Sequence, residues 1–150
     1  MSATLANLES ALAGESMAHI KYRYFARIAR EEGFEDVAKH FEHTADQEIK
    51  HAWGHLELLI GKPTTKECLQ KAIEGETYEF THMYPDFERS ARLEGNNEAA
   101  KEAQHQIEES KEHAEQFKAV LVKAEKRFAA LKKVEERHAT AYQRMLQEVQ

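Results

Sequence analysis

Glutamate and histidine stand where helices would ordinarily carry leucine. An apolar stripe at alternating spacings of three and four begins Leu5, Leu8, Leu12, meets Glu15 and His19, and resumes at Tyr22, Ala26 and Ala29. A second runs Val37, Phe41, Thr44, then Glu48, His51, His55 and Leu58. A third runs Leu69, Ala72, then Glu76, Glu79 and Met83. Glu48-x-x-His51 sets a carboxylate and an imidazole on one helical face. Carboxylates turned inward without partners cost several kcal/mol each, roughly, so a group of them calls for cations. Arg23, Arg27 and Arg30 lie off the stripes, which leaves a multivalent metal ion as the economical partner. Oxygen donors with a minority of imidazoles favour iron or manganese over zinc or copper. A lone inner glutamate, or one Glu-x-x-His, carries little weight. Their concurrence on three helices carries the metal reading.

The elements that must position these residues are helical. Breakers at Gly33, at Gly61-Lys62-Pro63 and at Gly95-Asn96-Asn97 predict helices over 4–32, 35–60, 66–94 and 97–123, with an extra helix over 126–148. The segments repeat. FARIAREEG (25–33) recurs as FERSARLEG (87–95), 62 positions later, whereas AGES (13–16) recurs as EGET (74–77), 61 positions later. The second copy has therefore gained one residue near Pro85, which predicts a kink or a π-bulge there. Each copy reads as an antiparallel hairpin, and two hairpins make an all-α four-helix bundle with roughly 40 Å helices. In such a bundle Glu15, Glu48 and Glu76 come to similar heights near the centre.

Length and composition are consistent with this. The 150 residues suit one domain, and 32% charged with 41% hydrophobic residues suits a soluble chain. A net charge of −6 without a basic run argues against nucleic acid. No apolar run is long enough to span a bilayer and no signal-peptide pattern opens the chain. The single Cys68 excludes an internal disulfide, and a cytoplasmic location follows by default.

AGESMAHIKYRYFA, the Glu-x-x-His-Ala of the second helix and EGETYEFTHMYP together resemble the rubrerythrin family of the ferritin-like superfamily, over about residues 5–122. The resemblance implies a di-iron carboxylate bundle that reduces hydrogen peroxide to water, with two iron ions, or manganese, as cofactor. It implies Glu15, Glu48, His51, Glu76 and Glu79 as ligands. Glu79 matches the carboxylate that exchanges with a histidine when iron changes oxidation state. Tyr22 and Tyr84 match tyrosines near the cluster. The chain also lacks the paired Cys-x-x-Cys knuckles of a rubredoxin-like domain, which implies the short form of the family, close to the symerythrins, and an external electron donor such as a rubredoxin. A homodimer, with swapped hairpins as one arrangement, is the expected assembly. A ferroxidase or oxidase using dioxygen, and a bundle holding metal only for stability, are the alternatives.

The fourth helix leaves its ligands open. The offset of 62 maps His51 onto His113 and Glu48 onto Ser110, which has no carboxylate. Glu109 follows Glu76 by 33 residues as Glu48 follows Glu15, so Glu109 with His113 is the expected pair, with Glu112 as a further candidate. Glu135-x-x-His138, on a stripe of Phe128, Leu131, Tyr142, Met145 and Val149, is the alternative ligand pair. The expectation there is a fifth amphipathic helix, after a reversal near 124, that packs on the bundle or on a partner subunit.

Overall fold

The computed structural model describes residues 2–148; Val149 of the C-terminal stripe lies outside them. Five α-helices and one π-helical turn account for nearly all of it: α1 (Ala3–Glu31), α2 (Glu35–Ile60), α3 (Thr65–Tyr78), the π turn (Glu79–Met83), α4 (Tyr84–Leu93) and α5 (Asn97–Glu148). The all-α class and the breaks at Gly33, Gly61 and Gly95 are as expected. The chain divides into two units, 1–62 and 63–150.

In the first unit, α1 and α2 form an antiparallel hairpin. Ser2 caps α1 by accepting from the Leu5 amide at 3.3 Å. Gly33, at φ 86°, reverses the chain. Its amide donates to the Arg30 carbonyl and the Phe34 amide to the Ala29 carbonyl, closing the end of α1. Across the turn Arg30 reaches Glu35 and Glu42, each at 3.0 Å. Ala26, Ala29, Ala38, Ala45 and Ala52 are the buried apolar residues, because two helices alone can enclose only small side chains between them. Phe25, Phe41 and Tyr22 form a partly exposed aromatic cluster beside them.

The second unit repeats the device. Gly95, at φ 74°, carries the same pair of hydrogen bonds, from Gly95 to Arg92 and from Asn96 to Ala91. Ala91, Ala100, Ala103 and Ala114 are buried against one another's helices. α3 opens on a capping box between Thr64 and Glu67. The residue gained by the second copy appears as the π turn. The Tyr84 amide bonds back five residues to the Glu79 carbonyl, and Pro85, which has no amide to donate, follows in the first turn of α4. The predicted bulge is therefore present, just upstream of its proline.

One expectation fails. No reversal occurs near 124, and the predicted 97–123 and 126–148 helices are one continuous helix of 52 residues. Nothing between them breaks a helix: residues 110–148 contain no glycine and no proline. Lys66 pairs with Glu125 at 2.8 Å, so α5 is level with the start of α3 at that residue. Every residue from Glu125 to Glu148 is exposed.

Candidate metal centre

In the first unit, Glu15 from α1 meets Glu48 and His51 from α2. One ligand atom from each lies within 4.8 Å of the others. Glu48 is largely buried at 17% side-chain exposure, and its Oε2 lies 3.2 Å from His51 Nδ1. The Glu15 carboxyl has its pKa raised. The chief cause is the hydrogen bond it shares with Glu48, followed by loss of water and the Glu48 charge, against the opposing pull of His51 and His55. Two carboxylates this close hold either a shared proton or a cation between them. His19 is occupied structurally, with Nδ1 2.7 Å from the Ala45 carbonyl, where it donates. Tyr22 packs against Phe25 and Phe41, with ring centroids 6.3 Å and 6.0 Å away.

In the second unit, the acids of α3 and the π turn face α5. Ser110, almost fully buried, donates its hydroxyl to Glu79 Oε2 at 3.0 Å. His113 Nδ1 approaches Glu76 Oε2 to 3.5 Å without forming a hydrogen bond, and that buried oxygen has no hydrogen-bond partner among the described residues. A buried carboxylate oxygen without a donor is costly, and a cation beside His113 would satisfy it. Burial raises the Tyr84 pKa, reinforced by the charges of Glu79, Glu102 and Glu76. The phenol thus holds its proton in an acidic field.

The structure does not gather Glu109 into this group. Its carboxylate lies 3.4 Å from His105 Nε2, one turn back along α5, and Glu112 is exposed. The glycine turns explain this. Glu48 lies 15 residues beyond Gly33 and Ser110 lies 15 beyond Gly95, so the turns set the face that each returning helix presents. Counting from Glu76 instead carries the extra π-turn residue into the sum and lands one position short. Glu135 and His138 lie on the same unbroken helix, roughly 37 Å past Ser110 and His113 at helical rise. The Ser110–Glu79 hydrogen bond itself was not foreseen. Its signal was the placement of Ser110 on the face where the first copy has Glu48.

The donor types fit an oxygen-preferring transition metal: a carboxylate pair with one imidazole in the first unit, and an orphaned carboxylate oxygen beside an imidazole in the second. Known proteins resemble this chain. A nigerythrin of Nitratidesulfovibrio vulgaris is 40% identical over 110 residues, covering 64% of this chain and 54% of that protein. A putative rubrerythrin of Methanocaldococcus jannaschii is 36% identical over 143 residues, covering 81% of this chain and 70% of its own length. Among solved structures, fully reduced, all-ferrous nigerythrin is similar at 34% identity and a TM-score of 0.41, covering 83% of this chain and 69% of that one. The chain spans little more than half of the nigerythrin sequence it matches. Members of the rubrerythrin family are ferritin-like di-iron oxidoreductases. With the rubrerythrin family model matching residues 6–121, most of its length, this chain belongs to that family.

Proposed function

We propose that this protein is a non-haem di-iron peroxidase that reduces hydrogen peroxide to water with electrons from an external donor such as a rubredoxin. The observation that carries the proposal is the Glu15–Glu48–His51 cluster, in which two carboxylates crowd until one favours a proton. The orphaned Glu76 oxygen beside His113 supports it from the second unit. A bound ferrous pair would supply one electron from each ion and Lewis acidity toward the peroxide oxygens. The proposed ligands are Glu15, Glu48, His51, Glu76, Glu79 and His113.

The chain's own groups have distinct parts. Glu15 and Glu48 hold negative charge where metal cations are needed. Glu79 follows Glu76 by one α-helical turn and opens the π turn, whose widened backbone begins at the Glu79 carbonyl. Ser110 fixes one Glu79 oxygen by a hydrogen bond. Tyr84 keeps its proton beside the acids. Reduction of one peroxide to two waters consumes two electrons and two protons, so a protonated group near the acids is a requirement of the reaction.

Stopped-flow oxidation of the anaerobically reduced, iron-loaded protein tests the reading. Peroxide should oxidise it at least tenfold faster than dioxygen at equal concentration, on the order of 1.4 kcal/mol in barrier. Equal rates, or faster oxidation by dioxygen, overturn the peroxidase in favour of an oxidase or ferroxidase.

A further inference from the structure

The end of α5 carries a second pattern that the metal centre does not use. Beyond Glu125 the helix has outrun the start of α3, and its large apolar side chains are exposed: Phe128, Leu131, Val134, Tyr142, Met145 and Leu146. The family match stops at residue 121, so this stretch lies beyond the shared domain. From Leu121 the stripe keeps a strict heptad, Leu121, Ala124, Phe128, Leu131, Glu135, His138, Tyr142 and Met145, at spacings of three and four without a slip. That is the seam of a coiled coil, with one polar layer at Glu135 and His138.

The sequence of this seam is self-complementary when reversed. Two copies laid antiparallel about the midpoint of Glu135 and His138 set each Glu135 against the other copy's His138. The next layers pair Leu131 with Tyr142, and then Phe128 with Met145. The flanking positions bring Arg127 beside the other copy's Glu148 and Val134 beside Ala141. A parallel pair in register would instead set Glu135 against Glu135 and His138 against His138, like against like, at the centre. Polar residues at seam positions select register and partner in this way at some cost in stability.

We propose that residues 125–148 of α5 form an antiparallel coiled coil with the same segment of a second copy, registered by reciprocal Glu135–His138 contacts. The occupant of this exposed face is another molecule of the chain itself, because the seam matches its own reverse in both shape and charge. The contact is independent of the metal chemistry and needs no loaded site.

Cysteine cross-linking of the full chain tests it, in a Cys68→Ser background that removes the native exposed thiol. The Leu131→Cys/Tyr142→Cys double variant should oxidise mostly to a covalent dimer on a denaturing, non-reducing gel. Each single variant should run as uncross-linked chain on that gel, since its thiols lie roughly 16 Å apart along the antiparallel pair. Adding His138→Glu should lower the double variant's yield several-fold, and adding Glu135→Lys to that should restore it. The proposal is overturned by a double variant that does not cross-link, by single variants that cross-link equally well, as in a parallel pair, or by a yield that ignores His138→Glu.

Discussion

At the level of the acids, the α1–α2 hairpin holds Glu15, Glu48 and His51, whereas the hairpin built by α3, α4 and α5 holds Glu76, Glu79, Ser110 and His113. Both arise from one repeated unit closed by the same glycine turn, with alanines buried at matching places: Ala29 and Ala91, Ala38 and Ala100, Ala52 and Ala114. The scaffold has been kept and the donors have changed. The second copy has exchanged a carboxylate on its returning helix for a hydroxyl and gained Glu79 at the π turn. The gained acid and the changed backbone are neighbours, because the π turn that takes up the extra residue opens at Glu79. The lesson is that a repeat can preserve packing while it redistributes charge, provided the small residues between the helices stay small.

The largest expected effect separates the two returning helices. Glu48→Ala removes a buried carboxylate from the three-donor cluster and should weaken iron binding by more than the roughly 10–100-fold that loss of a supporting contact costs. Ser110→Ala, at the equivalent position, should change bound iron little. Iron per chain after anaerobic reconstitution and desalting measures both. The reciprocal change sharpens the contrast. Ser110→Glu makes the second copy like the first, and in metal-free protein it buries another acid beside Glu79, a cost of about 3 kcal/mol. Added iron should then raise its melting temperature by more than it raises that of the unaltered protein. If Ser110→Glu proves neutral without metal, the second unit has no buried acidic centre and the comparison collapses.

A middling effect is expected at the π turn. Deleting Thr81 should return the segment to α-helical spacing and rotate α3 against α4 by about 100°. Either Glu76 or Ala91 must then leave its position against α5, at a cost on the order of 3 kcal/mol. Thermal melts of the metal-free protein measure this. The first hairpin offers the control, since its α1 is α-helical throughout and carries no such insertion. A deletion that leaves melting unchanged means that the π turn is dispensable to the packing of its unit.

These differences were unequally legible in the amino-acid sequence. The hairpins were readable because Gly33 and Gly95 punctuate long apolar stripes, and the bulge was readable because the repeat offset changes from 61 to 62. Glu15, Glu48 and His51 lie on the predicted stripes, and the structure brings them within reach of one another. Glu109 came from counting forward from Glu76, whereas the structure sets it beside His105, since a one-residue insertion turns a helix face by a whole side chain and the distance from Gly95 selects Ser110 instead. The length of α5 was misread for a different reason. The change from bundle to free helix after Glu125 has no local signal, because a helix that loses its neighbours keeps the same backbone and the same alternating stripe. Tyr22 sat on the predicted stripe, yet the structure packs it against Phe25 and Phe41, a contact that periodicity does not encode.

The smallest expected effect lies where the two hairpins begin. α1 starts on a single hydrogen bond from the Leu5 amide to Ser2, whereas α3 starts on a reciprocal box. In that box Glu67 accepts from the Thr64 amide at 2.7 Å and Thr64 accepts from the Glu67 amide at 3.3 Å. Thr64→Ala should cost about 1 kcal/mol. The box also carries a pH signature. The Glu67 carboxylate is held below its ordinary pKa, first by the Thr64 amide and then by the Thr64 hydroxyl. Its contribution is therefore complete above the ordinary glutamate range and is lost as pH falls through the lowered value, because protonation removes the charge that both donors favour. Glu67→Gln should show less acid sensitivity than the unaltered protein, and Ser2→Ala should leave the acid dependence unchanged, since Ser2 has no titrating partner. Melting curves from neutral to acid pH would distinguish them, and parallel acid profiles for Glu67→Gln and the unaltered chain would show that the second hairpin draws nothing from its charged cap.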